Sequence, residues 1–153
     1  MNEQAPPPIE RIEVEGNLLA LIVRSSFSES GLKFFTPDEF SQQLAYMRHP
    51  QGKVIAPHVH NEVKRTVHFT NEVLFIRKGR LRVDFYRNDK SYLISRILGP
   101  GDVVLLADGG HGFECLEELE MFEVKQGPYA AEMDKTRFQT IETNLVRYTA
   151  EEP

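Results

Sequence analysis

The sequence predicts an all-β domain, on three observations. From residue 53 onward, short apolar or alternating runs follow one another with turn residues between them. The breaks fall at Lys78-Gly79, Asn88-Asp89, Gly99-Pro100-Gly101 and Asp108-Gly109-Gly110, a regular spacing that suits a β-sandwich or barrel rather than βαβ units. Leu81, Val83 and Phe85 alternate with Arg82, Asp84 and Tyr86, which predicts a strand with one buried and one polar face.

Along the chain, residues 1–8 are polar and proline-rich and read as a flexible N-terminal arm. Ile9, Ile12 and Val14, then Leu18 to Val23, form opening strands around the Gly16-Asn17 turn signal. Thr36-Pro37-Asp38-Glu39 has capping-box spacing with proline at the first helical position, so a short helix is expected there, ending before Pro50 and Gly52. Strands are then expected over 54–60, 67–76, 81–86, 92–98, 102–106, 113–116 and 121–126. The mixed, charged segment 130–153 has room for at most a short helix or an extra strand. One domain over residues 9–140, with a tail over 141–153, is the simplest division; no internal repeat is evident.

Composition narrows the function without naming it. At 153 residues the chain is long enough to bury a core, and 41% hydrophobic with 27% charged residues is ordinary for a globular protein. The net charge of -5 and the lack of a basic block remove the field that attracts nucleic acid or anionic lipid, so a small-molecule ligand is the expected partner. Cys115 is the only cysteine, so no internal disulfide exists; the residue reads as a small buried hydrophobe rather than a reactive thiol. The opening MNEQAPPPIE lacks the cationic start and apolar core of a signal peptide, and the longest apolar run is far too short to span a bilayer. A cytoplasmic protein with no membrane partner is the resulting expectation.

The chemistry concentrates in a few residues. GKVIAPHVH places His58 and His60 two apart, which on a strand aims both imidazoles to one face. Glu72 opens EVLFIRKG, and His111 lies in DGGHGFE, where two glycines permit a tight turn and close backbone approach. Histidines with a carboxylate are the ligands expected for Fe(II), Mn(II), Zn(II), Ni(II) or Cu(II). Polar residues suited to selecting a substrate are Arg65 and His68 between the two motifs, and Lys125, Gln126 and Tyr129 in EVKQGPY. Arg77, Arg96 and His49 read as surface groups.

Gly52, five residues, His58-Val59-His60, then Glu72, six residues and Gly79 resemble the first motif of the cupins. Gly101-Asp102, Gly109 and His111 resemble the second. The resemblance covers residues 52–126 and implies a cupin-type β-barrel of jelly-roll form, with His58, His60, Glu72 and His111 as ligands of a divalent metal such as Fe, Mn, Ni or Zn. It departs from the family in four places. Eleven residues separate His60 from Glu72 where the family has three or four, Ala107 replaces a proline, His111 comes one residue early, and Cys115 replaces an asparagine. His68 offers a competing register, three residues before Glu72, but with Thr66 in place of the first histidine.

EVLFIRKGRLRVDFY, SRILGPGDVVLLADGGHGFE and EVKQGPY together are similar to small single-domain cupins found beside polysaccharide and surface-sugar biosynthesis genes. That likeness implies a sugar or nucleotide-sugar derivative as ligand and a homodimer as the assembly. Three functions stay open: a metal-dependent enzyme, a sugar-binding or regulatory protein without turnover, and a metal-free ketoisomerase or epimerase with a histidine general base.

Overall fold

In the computed structural model, which describes residues 5–149, nearly all regular structure is strand. The strands are β1 (Ile9–Val14), β2 (Asn17–Val23), β3 (Gly31–Phe34), β4 (Ala45–Arg48), β5 (Glu72–Lys78), β6 (Leu81–Tyr86), β7 (Tyr92–Leu98), β8 (Val103–Leu106), β9 (Gly110–Cys115) and β10 (Glu120–Lys125). Short 3-10 turns at Ala131–Asp134 and Thr143–Leu145 are the helical structure among the described residues, so the chain is all-β. No helix of the described residues is long and apolar enough to cross a membrane. Residues 1–4 of the expected arm and 150–153 of the expected tail lie outside the described residues.

The chain gathers into two compact units, Met1–Ser26 with Phe69–Pro153, and Phe27–His68. The first unit holds a five-stranded sheet of order β1-β2-β8-β5-β10 and a three-stranded sheet of order β7-β6-β9, with every pairing antiparallel. One apolar cluster draws on both: Ala20, Ile22, Leu74, Ile76 and Val104 come from the larger sheet, and Leu81, Val83, Phe85, Ile94 and Leu98 from the smaller. Each such side chain, fully buried, contributes about 1.5–3 kcal/mol, which is what holds two sheets face to face. No strand is shared between the sheets, so they do not close into the barrel that the sequence led us to expect. The second unit contains the hairpin β3-β4.

Two expected elements are absent for local reasons. The strand expected over 54–60 is not formed: residues 53–68 carry no regular secondary structure. Pro57 cannot donate to a ladder, which breaks the run at its centre. The expected helix after Thr36 is also missing. Instead of capping a helix, the Thr36 hydroxyl donates to Gln43 Oε1 at 2.7 Å and accepts from the Leu44 amide at 3.2 Å, while Gln43 Nε2 donates to the Pro37 and Phe40 carbonyls at 2.9 Å each. That side chain closes the loop and removes the need for helical hydrogen bonds. Similarly, the strand expected over 67–76 starts only at Glu72.

The polar face of β6 is not solvated as its alternation suggests; all six residues are buried. Arg82 donates to Asp84 through Nε at 2.8 Å and Nη2 at 3.1 Å, and pairs with Glu114 of β9. Ser95 of β7 also donates to Asp84. Because the Ser95 proton goes to that carboxylate, the Tyr92 hydroxyl donates to Ser95 Oγ at 2.8 Å and accepts from the Arg147 amide at 2.9 Å. The Ser95 amide in turn donates to the Arg147 carbonyl at 2.8 Å, so the chain near Arg147 satisfies the outer edge of β7. Tyr92→Phe removes one hydroxyl with two partners and is expected to cost about 1–2 kcal/mol in urea unfolding. Faster hydrogen exchange at the Arg147 amide should accompany that loss; unchanged exchange would contradict the assigned role.

Two smaller expectations are corrected. Cys115 is exposed, not buried, because β9 lies at the edge of its sheet. Arg96 is not a surface group: its side chain is 19% exposed, bonded to Glu10 and to the Tyr148 carbonyl. Glu10 also meets Arg24, whose Nη1 reaches Asp102 at 3.1 Å, so a chain of alternating charges links β1, β7 and the turn before β8. Arg77 is exposed, as expected, and lies 3.5 Å from Glu120.

Candidate functional site

The site begins with two strand registers. In β5, Glu72 shares a face with Leu74 and Ile76, both in the core cluster, so its carboxylate points between the sheets. In β9, His111 pairs with Phe85 of β6, another core residue, so its imidazole points into the same space from the other sheet. The two meet at the end of the sandwich, His111 Nε2 lying 3.2 Å from Glu72 Oε2. Their side chains are 30% and 13% exposed, which leaves the pair reachable from solvent. The hydrogen bond from His111 holds the Glu72 carboxyl below its ordinary range against the opposing effect of burial, and the charges of Lys125 and Lys135 add to the lowering.

The turn before His111 requires glycine. Gly109 has φ of +70°, and a Cβ there would come within 2.5 Å of the Tyr86 carbonyl oxygen. A Cβ on Gly110 would come within 2.8 Å of Phe138 Cζ. The backbone therefore passes against Tyr86 and Phe138 without side chains of its own, which fixes where β9 starts and hence where His111 stands.

A cavity of about 510 Å³ adjoins the pair, within the size range of small-molecule sites. Glu72, His111, Tyr86, Asp108, Lys135 and Phe138 are among its lining residues. Phe138 packs edge-on against Tyr86 with ring centroids 5.0 Å apart, and the Ile141 amide donates to the Tyr86 hydroxyl at 3.0 Å. Thr70 donates to Asp134 at 2.6 Å. The segment 134–140 thus forms a wall tied down at both ends, a feature without a signal in the sequence because the stretch has neither helical nor strand periodicity.

The residues proposed from sequence separate into groups. Lys125, opposite Glu72 in the β5-β10 register, places Nζ 3.9 Å from Glu72 Oε1 and 3.4 Å from Glu123 Oε1. Glu123 first, and Glu72 after it, raise the Lys125 ammonium above its ordinary value. Gln126 accepts from the Asn71 amide beside Glu72, and Asn71 Nδ2 donates to the Ala107 carbonyl at 2.7 Å. Tyr129 is 82% exposed. His58, His60, Arg65 and His68 belong to the second unit, in the exposed stretch without regular structure. There His58 and His60 pack edge to face with centroids 5.2 Å apart. His58 Nδ1 lies 3.0 Å from the Ala56 carbonyl, a contact that places the proton on Nδ1 and leaves the Nε2 lone pair available.

Among the described residues no three His, Cys, Asp or Glu side chains gather into a group that could hold a metal ion. The four ligands that the cupin resemblance implies stand as two pairs, Glu72 with His111 in the first unit and His58 with His60 in the second. Glu72 with His111 offers a carboxylate oxygen and an imidazole nitrogen, and His58 with His60 two imidazole nitrogens, all donors suited to a divalent transition metal. No family model, no curated protein and no solved structure matches the chain.

Proposed function

We propose that the chain is a small cupin-type protein that takes a small oxygenated metabolite, a sugar or nucleotide-sugar derivative, in the cavity beside Glu72 and His111. The observation that carries the reading is the meeting of these two side chains across the sandwich: a hydrogen-bonded imidazole and carboxylate in a cavity, at a sheet end, is a costly arrangement for stability alone and a useful one for binding or proton transfer. The antiparallel two-sheet architecture is compatible with a jelly roll, in which the chain crosses repeatedly between sheets, as it does here from β5 to β6, β7 to β8, β8 to β9 and β9 to β10.

A divalent metal held by Glu72 and His111 would polarise a carbonyl or hydroxyl of the ligand, and the cupin resemblance implies His58 and His60 as its further ligands. The alternative favoured by the 3.2 Å contact needs no metal: Glu72 orients His111, which moves a proton on the substrate as general base. Metal content of the purified protein, measured by plasma mass spectrometry after loading with Fe(II), Mn(II), Ni(II) or Zn(II), separates them. Near-stoichiometric metal in the parent, lost in both Glu72→Gln/His111→Ala and His58→Ala/His60→Ala, is the result expected of the four-ligand site. Loss only in the first variant confines the centre to the first unit. A parent that takes up none of these metals overturns the metal reading and leaves His111 with Glu72 as a proton-transfer pair.

A further inference from the structure

The wall of the cavity says what kind of molecule it takes. Three carboxylates line it, and each has a partner: Glu72 meets His111 at 3.2 Å, Asp108 accepts from Asn88 at 3.2 Å, and Asp134 accepts from Thr70 at 2.6 Å. Among the lining cations, the ammonium groups of Lys90 and Lys135 make no hydrogen bond or ion pair with the described residues. Lys135 sits in the tied-down wall between Asp134 and Phe138, so its backbone is placed by contacts that do not involve its own side chain. Such a lysine is available to a ligand's negative group at the small entropic cost of ordering one side chain.

The remaining lining is mixed. Phe69 and Phe138 offer apolar ring faces, while Thr70, Asn88, Thr136 and Gln139 offer donors and acceptors. Apolar faces flanked by small polar groups suit a molecule with a C–H face and several hydroxyls.

We infer that the cavity binds an anionic, polyhydroxylated small molecule, a carboxylated or phosphorylated sugar, with its negative group at Lys135 and Lys90. This deepens the proposed function and rests on the cavity assigned there.

The test is calorimetric titration of the full chain with glucuronate, glucose 1-phosphate, inorganic phosphate and neutral glucose. In parallel, imidazole NMR follows His111, its resonance assigned from a His111→Ala variant. The expected result is binding of glucuronate or glucose 1-phosphate that shifts the His111 resonance and weakens as salt rises. Glucose should bind at least about tenfold more weakly, and Lys90→Ala/Lys135→Ala should lower the anion's affinity by about tenfold or more. Lys78→Ala, which removes a cation outside the lining, should leave it unchanged. The stronger of the two anions identifies the group as carboxylate or phosphate. Glucose binding as tightly as the anions, or a lysine double variant with unaltered affinity, overturns the inference; a shifted His111 would still support the cavity as the site. Inorganic phosphate binding as well as the sugar phosphate overturns the polyhydroxyl part. If no probe moves His111, both the inference and the proposed site fall.

Discussion

Replacing Asp84 by alanine is expected to destabilise the protein by about 3–5 kcal/mol, because it strands a buried guanidinium. Asp84 is 1% exposed and Arg82 is 4% exposed, and the carboxylate takes two of the guanidinium's donors and the Ser95 hydroxyl. Those hydrogen bonds also raise the pKa of Arg82 above its ordinary value, and without them the guanidinium still keeps its proton, because that ordinary value lies far above neutral. Glu114, at 47% side-chain exposure, retains its contact but compensates only one end. An apolar replacement of both members, Arg82→Met with Asp84→Leu, removes the charge together with its partner and should cost much less than Asp84→Ala alone. Urea unfolding of the three proteins checks this ordering. Equal losses for the single and double variants would mean that packing, and not the unpaired charge, sets the cost.

That network also shows how far the sequence could be read. The alternation in LRVDFY identified β6 and its inward face correctly, since Leu81, Val83 and Phe85 all enter the core. What alternation could not show was that the other face is covered, because the partners of Asp84, Arg82 and Tyr86, namely Ser95, Glu114 and Ile141, come from distant stretches. Glu72 was legible because its strand neighbours Leu74 and Ile76 are plainly core, and His111 because the glycines before it signal a tight turn. His58 and His60 share a strand face only if there is a strand, and the proline between Ala56 and His58 removes one ladder donor from a segment with few others. The wall at 134–140 gave no periodic signal; its position follows from Phe138 fitting against Gly110, a contact between residues far apart in sequence. Spacing therefore located the groups whose geometry is set locally by a register. It could not locate those set by a single long-range contact.

Gly109→Ala tests whether the turn positions the site. The added methyl would stand 2.5 Å from the Tyr86 carbonyl oxygen and 3.1 Å from Leu19 Cδ2, at a φ of +70°. Leucine can shift, but the Tyr86 carbonyl belongs to the backbone of β6, at the position where that strand pairs with Gly110. The left-handed backbone alone costs alanine about 1–2 kcal/mol relative to glycine, and forced contact with backbone adds about 1–3 kcal/mol, so a loss of about 2–5 kcal/mol is expected in urea unfolding. Relief of the clash requires the start of β9 to move away from β6, which draws His111 off Glu72. The imidazole resonance of His111 should shift accordingly. Ala107→Gly, two residues away at a buried position, provides the contrast: it loosens the same turn region without forcing contact, so it should cost less than Gly109→Ala and leave the His111 resonance in place. A stable Gly109→Ala protein with an unmoved His111 would show that the turn has slack, and that the position of the imidazole is set from the strand side, by its pairing with Phe85.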